Sequence, residues 1–210
     1  MPSTSAPALH PDDEQIDEEK IALRLRTRDA RARRSARKRD DAAKAIAGHL
    51  LSMPEVQAAH CVSIYASRPT EPGTLPTIEA LAARGVRVLL PVLGDGLERC
   101  WAVYRGADDL TQRSPGRPPE PSGEMLPQSS ISDADVVIAP ALSVDATGTR
   151  LGNGGGWYDR VLPEAKPGAL LVALAFDEEV RSGSSLVPRA RHDYPIEVVV
   201  TPTGVTRLPR

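Results

Sequence analysis

The chain has 210 residues, of which 40% are apolar, with a net charge of −2 and a pI near 6.1. That length suits one domain with a sizeable core, and the near-neutral balance excludes a global field that would draw the protein to nucleic acid. No apolar run approaches the ~20 residues of a membrane span, and the acidic start MPSTSAPALHPDDEQIDEE lacks an apolar signal core. A cytoplasmic protein with no membrane partner is therefore expected. One Phe, two Trp and four Tyr leave packing to aliphatic side chains. Cys61 and Cys100 sit in hydrophobic surroundings and are not spaced as a metal site or redox pair, so they read as reduced core thiols.

Residues 1–15 carry Pro, Ser, Ala and acids without an apolar period and read as a disordered extension; residues 16–210 read as a single domain. From Ile16 to Ser52 a helical stripe recurs at Ile21, Leu25, Ala32, Ala36, Ala43, Ile46 and Leu50. The stripe is thin, because half of residues 20–39 are Lys or Arg, and Pro54 is expected to end the segment. CVSIYAS (61–67) reads as a buried strand and LPTIEALAARG (75–85) as a helix closed by Gly85. VRVLLPV (86–92) is a second strand, and GDG (94–96) turns the chain into RCWAVYR (99–105). Residues 111–130 are rich in Pro, Ser and Gly and read as a long surface loop. ADVVIAPALSV (134–144), ALLVALAF (169–176) and IEVVVT (196–201) are further strands, and WYDRVLPEA can start a helix. Strands apolar throughout and interleaved with helices predict an α/β fold: a three-layer domain with a mostly parallel or mixed sheet and helices on both faces.

The stretch RLGNGGGWYDR (150–160) holds four glycines followed at once by two aromatic rings and a charged pair. Its context of strand, loop and helix presents main-chain N–H groups to an anion, and glycine allows positive φ and close approach of a phosphate. A Walker loop is excluded because there is no lysine, and the dinucleotide fingerprint because Trp157 stands where a third glycine belongs. A tight turn with no ligand is the alternative. Asp159 would repel a phosphate unless a cation lay between them, and Mg²⁺ is the natural mediator. Equally, it is an acid favoured at a helix start.

DVVIAPALSVDATGTRLGNGGGWYDRVL resembles the signature of the 5-formyltetrahydrofolate cyclo-ligases, also called methenyltetrahydrofolate synthetases. KIALR (20–24), YASRPTEPGTLPTIEALAARGVRVLLP (65–91) and HDYPIEVVVT (192–201) agree with the family in order and spacing, so the resemblance covers about residues 20–205. Trp157 stands where Tyr or Phe is usual. The resemblance implies conversion of 5-formyltetrahydrofolate, with ATP and Mg²⁺, to 5,10-methenyltetrahydrofolate, ADP and phosphate. The formyl oxygen would attack the γ-phosphate, N10 would close the ring, and phosphate would leave. The substrate supplies the nucleophiles, so catalysis is positioning and charge stabilisation. A non-catalytic nucleotide- or folate-binding protein is the alternative.

Carried over to this sequence, the ATP site comprises Lys20, Arg24, Arg150, Leu151, Gly152, Asn153, Gly154, Gly155, Gly156, Trp157 and Tyr158. Ala66, Glu71, Asn153, Gly154, Gly155, Gly156 and Trp157 would meet the reduced folate, and Asp159 and Asp193 the metal. Some relatives carry Arg and Lys where this chain has Asn153 and Gly155, so cations elsewhere must compensate. Lys20 and Arg24 lie one helical turn apart and can reach one triphosphate; a solvated basic helix or a nucleic-acid footprint is the alternative. Interleaved aromatics are absent from that helix, which argues against single-strand binding. Trp157 and Tyr158 offer flat faces to a pterin or adenine, or cover the core. His192 reads as structural. No nucleic-acid partner and a monomer are expected.

Overall fold

In the computed structural model of the protein, residues 11–94, 96, 98–113, 117–183, 185–191 and 193–209 are described, with side chains from Glu14 onward. Three helices, α1 (Pro11–Ala32), α2 (Ala36–Ser52) and α3 (Pro54–Gln57), precede β1 (Cys61–Ile64), α4 (Leu75–Ala83), β2 (Arg87–Leu93) and β3 (Arg99–Val103). There follow β4 (Leu110–Thr111), β5 (Glu120–Pro121), β6 (Val136–Pro140), β7 (Ser143–Asp145), β8 (Arg150–Leu151) and α5 (Trp157–Val161). The chain then forms β9 (Leu170–Leu174), β10 (Val180–Arg181), β11 (Val198–Thr201) and β12 (Gly204–Arg207).

The main sheet has seven strands in the order β12-β11-β9-β6-β1-β2-β3. Its centre, β11-β9-β6-β1-β2, is parallel, and the two edge strands β12 and β3 run antiparallel. The parallel strands are buried at almost every position, as strands covered on both faces must be. From β1 the chain crosses through α4 to β2 on one side; from β6 it crosses through α5 to β9 on the other. Right-handed crossovers in opposite directions put these helices on opposite faces. They also leave a crevice where the direction reverses, at the carboxyl ends of β1 and β6, where open α/β sheets bind ligands. The expected fold class is thus the observed one.

Several boundaries differ from expectation. The segment 16–52 is two helices. Ser35 caps α2, its hydroxyl accepting from the Lys38 N–H, and breaks the run at residues 33–35. Helix α1 begins at Pro11, inside the expected extension, whose residues 1–10 lie outside the described ones. Pro54 opens α3, where its missing N–H is harmless. Ile21 and Leu25, expected to face the core, are 53% and 56% exposed; the buried face of α1 instead carries Lys20, Leu23, Thr27 and Arg31. The strand expected over 134–144 ends at Pro140, and β7 resumes in a separate small sheet with β8 and β10. Segment 111–130 is only partly a surface loop. It pairs β4 with β5, bridges Leu126 to Trp101, and buries Glu120. The edge strand β12 was not foreseen, since its side chains are largely exposed and carry no apolar run.

Both cysteines are buried and free of disulfides, and burial pushes the Cys61 thiol up to about 11, which suits an inert core residue. Among the described residues no helix is long and apolar enough to cross a membrane.

Asp135 ties the amino ends of the central strands together. Its carboxylate accepts from the His60 and Cys61 N–H groups and pairs with Lys166. Partial burial pushes its pKa up, but Lys166 and the two N–H groups outweigh that and hold it at about 2. A depressed carboxyl contributes stability that is complete above its unfolded value of about 3.9 and is lost as pH falls through the folded value. Asp135→Asn should therefore lower the melting temperature at neutral pH, and the gap to wild type should close between pH 4 and 2. A gap that stays constant over that window in thermal melts would show that the charge contributes nothing.

Candidate active site

The glycine stretch stands on a rigid hairpin. Asp145, buried at the end of β7, accepts from the Thr147 N–H, the Thr147 hydroxyl and the Thr149 N–H through Oδ1, and from the Val187 N–H through Oδ2. Gly148 turns the hairpin at φ +82°, and a Cβ there would meet the Ile196 carbonyl oxygen at 2.5 Å. Asp145 and Gly148 thus serve the fold of the loop rather than its chemistry. β8 delivers Arg150, and the chain then passes through Gly154 (φ +102°) and Gly156 (φ +60°) into α5. Among the described residues, no group accepts a hydrogen bond from the main-chain N–H of Gly152, Asn153, Gly154, Gly155 or Gly156. With α5 only five residues long, the anion-binding capacity lies in these N–H groups more than in a helix dipole.

Two clefts meet at this loop. The first, about 230 Å³, opens over the carboxyl ends of β1, β2 and β6 and is walled by Tyr65, Val92, Trp157 and Tyr158, with Glu71 and Glu120 as its glutamates. Trp157 is held edge-on to buried Trp101, with ring centroids 4.7 Å apart at 81°, and keeps a face on the cleft. Tyr158 is buried and its hydroxyl has no hydrogen-bond partner among the described residues, so it serves mainly as core beneath the loop. The second cleft is charged, lying between α1 and the loop, with Lys20, Arg24, Arg150, Asp159 and Asp193 on its walls. Arg150, Gly152, Gly156 and Asp159 belong to both.

Lys20, Arg150, Asp159 and Asp193 are held in opposite-charge pairs, whereas Arg24 and Arg28 are held by loop carbonyls. Lys20 Nζ lies 2.5 Å from Asp193 Oδ2, which also accepts from the Ala190 N–H. Arg150 donates to Asp159 Oδ1 at 2.6 Å and to the Pro140 carbonyl at 3.1 Å, while its Nε stays buried without a partner. Arg24 donates to the Gly152 carbonyl at 3.0 Å and Arg28 to the Asn153 carbonyl at 2.8 Å, so α1 holds the loop from above. Asn153 donates to Glu71 at 3.0 Å, and Arg68 grips the same carboxylate through its side chain and its N–H.

The structure therefore gathers Lys20, Arg24, Arg150, Leu151, Gly152, Gly154, Gly156, Asp159 and Asp193 around the charged cleft, and Glu71, Asn153, Gly155, Trp157 and Tyr158 around the apolar one. Ala66 is buried beside Tyr65, and it is Tyr65 that lines the cleft. His192 lies outside the described residues. Arg28, Tyr65, Arg68 and Glu120 escaped the sequence reading. Arg28 follows Arg24 by one turn and could have been found by that spacing; Glu120 carries no local signal.

Residues 16–202 match the 5-formyltetrahydrofolate cyclo-ligase family. The 5-formyltetrahydrofolate cyclo-ligase of Mycolicibacterium smegmatis is 34% identical over 176 residues, 81% of this chain and 87% of that protein. The Escherichia coli protein of the same name is 32% identical over 166 residues, 76% of this chain and 87% of its own. The solution structure of the Aquifex aeolicus 5,10-methenyltetrahydrofolate synthetase superposes with a TM-score of 0.75 at 27% identity, covering 91% of this chain and 93% of that one.

Two glycine substitutions separate scaffold from ligand contact. Gly148→Ala must adopt positive φ and strike a carbonyl, so it should destabilise the fold by about 1–3 kcal/mol or more. Gly155→Ala has ordinary φ and open space around its Cβ, so its melting temperature should match wild type. Equal melting temperatures for both variants in calorimetry would refute the scaffold role of Gly148.

Proposed function

Because the chain belongs to the 5-formyltetrahydrofolate cyclo-ligase family, we propose that it uses ATP and Mg²⁺ to convert 5-formyltetrahydrofolate to 5,10-methenyltetrahydrofolate, releasing ADP and phosphate. The observation that carries this reading is the pair of clefts sharing the glycine loop and Arg150. Such an arrangement suits a reaction in which a phosphate on one side meets a formyl oxygen on the other. In this reading the formyl oxygen takes the γ-phosphoryl group, ADP leaves, N10 closes the five-membered ring and gives up its proton to solvent, and the oxygen departs with phosphate.

The residues would act by position and charge. The loop N–H groups and the side chains of Lys20, Arg24 and Arg28 would hold the triphosphate. Arg150, shared by both clefts, would face the transferring group, where a buried guanidinium is worth more than in water. Arg24 and Arg28 would supply the charge that some relatives place within the loop. The Trp157 face would bound the pterin side, and the apolar cleft would keep water from the activated formyl group.

Asp159 and Asp193 line one cleft and supply hard oxygen donors, which fit magnesium. Bound there, the ion would neutralise phosphate charge. Each carboxylate would give up its contact with Arg150 or Lys20, and those cations would turn to phosphate oxygens.

The direct test is purified protein with 5-formyltetrahydrofolate and MgATP, followed by the absorbance of the methenyl product. ATP-dependent formation is expected; binding of both ligands without turnover would leave a non-catalytic binding protein. In the same assay Asp159→Asn should lower turnover more than about tenfold, as for loss of a charge-assisted contact, and raised Mg²⁺ should partly restore it. Circular dichroism is the folding control. An unchanged Mg²⁺ dependence in the folded variant would remove Asp159 from the metal site.

A further inference from the structure

We propose that Glu120 is the residue that recognises the pyrimidine edge of the pterin, a specificity role at the folate cleft. This inference rests on the reading of that cleft as the folate site. Glu120 belongs to the Pro-rich segment 117–121 (RPPEP), which packs β5 beside β4 and brings Pro118 and Glu120 to the cleft wall. Its side chain is only 5% exposed. One carboxylate oxygen, Oε1, accepts a single long hydrogen bond, 3.3 Å, from the Leu93 N–H. Among the described residues the other, Oε2, is buried with no hydrogen-bond partner and has Arg113 Nε at 3.6 Å, too far for a hydrogen bond.

The neighbouring glutamate of the cleft is in the opposite condition. Glu71 Oε1 accepts from Arg68 Nε at 3.2 Å, from Arg68 Nη2 at 2.8 Å and from Asn153 Nδ2 at 3.0 Å, and Oε2 accepts from the Arg68 N–H at 2.8 Å. Its acceptor capacity is largely used within the protein. A buried carboxylate oxygen without a donor is costly, and native proteins seldom keep one without a use. Asp159, the third carboxylate of the cleft, accepts from Arg150, so among the described residues Glu120 is the carboxylate of this cleft without a hydrogen bond from a charged side chain. What an apolar, aromatic-walled cleft with a buried carboxylate selects is a flat heterocycle presenting adjacent N–H donors. The aminopyrimidinone edge of a pterin presents two, the ring N–H and the exocyclic amine, side by side, and two parallel N–H bonds to a carboxylate give geometric specificity as well as strength. An adenine ring presents no such pair of adjacent donors on one edge.

The test uses the full chain and measures binding, so it is independent of turnover. Glu120→Gln keeps an oxygen for the Leu93 N–H and removes the charge. Calorimetric titration should show 5-formyltetrahydrofolate binding weakened about tenfold to a hundredfold, the range for one charge-assisted hydrogen bond. MgATP binding and the melting temperature should stay at wild-type values. The wild type should also bind an analogue bearing a methyl group in place of the exocyclic amine more weakly than the parent, and Glu120→Gln should lose most of that discrimination. Unchanged folate affinity in Glu120→Gln overturns the proposal. So does undiminished discrimination, or equal weakening of both ligands with a lowered melting temperature. A wild type that binds the folate but does not turn it over sinks the catalytic reading and leaves this one standing.

Discussion

The seat of α1 depends on one buried ion pair. Arg31 donates from Nε and Nη2 to the two oxygens of Glu179 at 2.6 and 2.7 Å, and also to the Ala141 carbonyl, with both side chains at most 4% exposed. Burial raises the Glu179 carboxyl, and the pairing keeps the Arg31 guanidinium above its usual value. Taking two charges out of water offsets most of their mutual attraction, so such a pair adds little net stability, whereas losing one partner is destabilising by about 3–5 kcal/mol. Its contribution here is register. With Arg31 fixed against Glu179, two helical turns back lies Arg24 and three lies Lys20, on the glycine loop and on Asp193. An apolar stripe alone would let a helix slide; a bidentate fork does not.

That geometry explains why α1 exposes Ile21 and Leu25 while burying a lysine and an arginine. Each buried cation has a carboxylate supplied by the sheet's far loops, so the polar face is the docking face. The periodicity of apolar residues therefore pointed to the wrong side of this helix, and it ran α1 and α2 together as one segment. For α2 the same periodicity holds beyond its first turn: Ala36 is exposed, but Ala43, Ile46 and Leu50 are buried where the helix packs on α4 and β11.

What was legible follows the range of each interaction. The central strands announced themselves because burial on both faces demands continuous apolar runs, and the loop because its glycines are required by positive φ at Gly148, Gly154 and Gly156. The gathering of Lys20, Arg24, Glu71, Asp159 and Asp193 around one loop came from family likeness, since no local pattern encodes contacts between residues so distant in sequence. The break at Ser35 was present as a cap residue but was masked by good helix formers on both sides. The division of 134–144 at Pro140 and the burial of Glu120 were not legible, because both depend on which sheet the chain joins next. The few aromatic residues gather beside the cleft: Trp157 and Tyr158 line it, and Trp101 packs edge-on behind Trp157 in a core otherwise built mostly from Val, Leu, Ile and Ala.

A further consequence concerns charge. Lys20 with Asp193, Arg150 with Asp159 and Arg68 with Glu71 neutralise one another in pairs. These pairs hold Lys20, Arg150 and Arg68 in place, while Arg24 and Arg28 donate to loop carbonyls and add positive charge beside them. On the proposed function, a triphosphate arriving with a metal would bring both signs at once, so each pair could exchange partners without leaving a buried charge bare. A phosphate alone would have to compete with Asp159 and Asp193 for the same cations, and a metal alone would have to displace Lys20 and Arg150. On the proposed function, pairwise neutralisation would favour joint binding of metal and nucleotide over either separately.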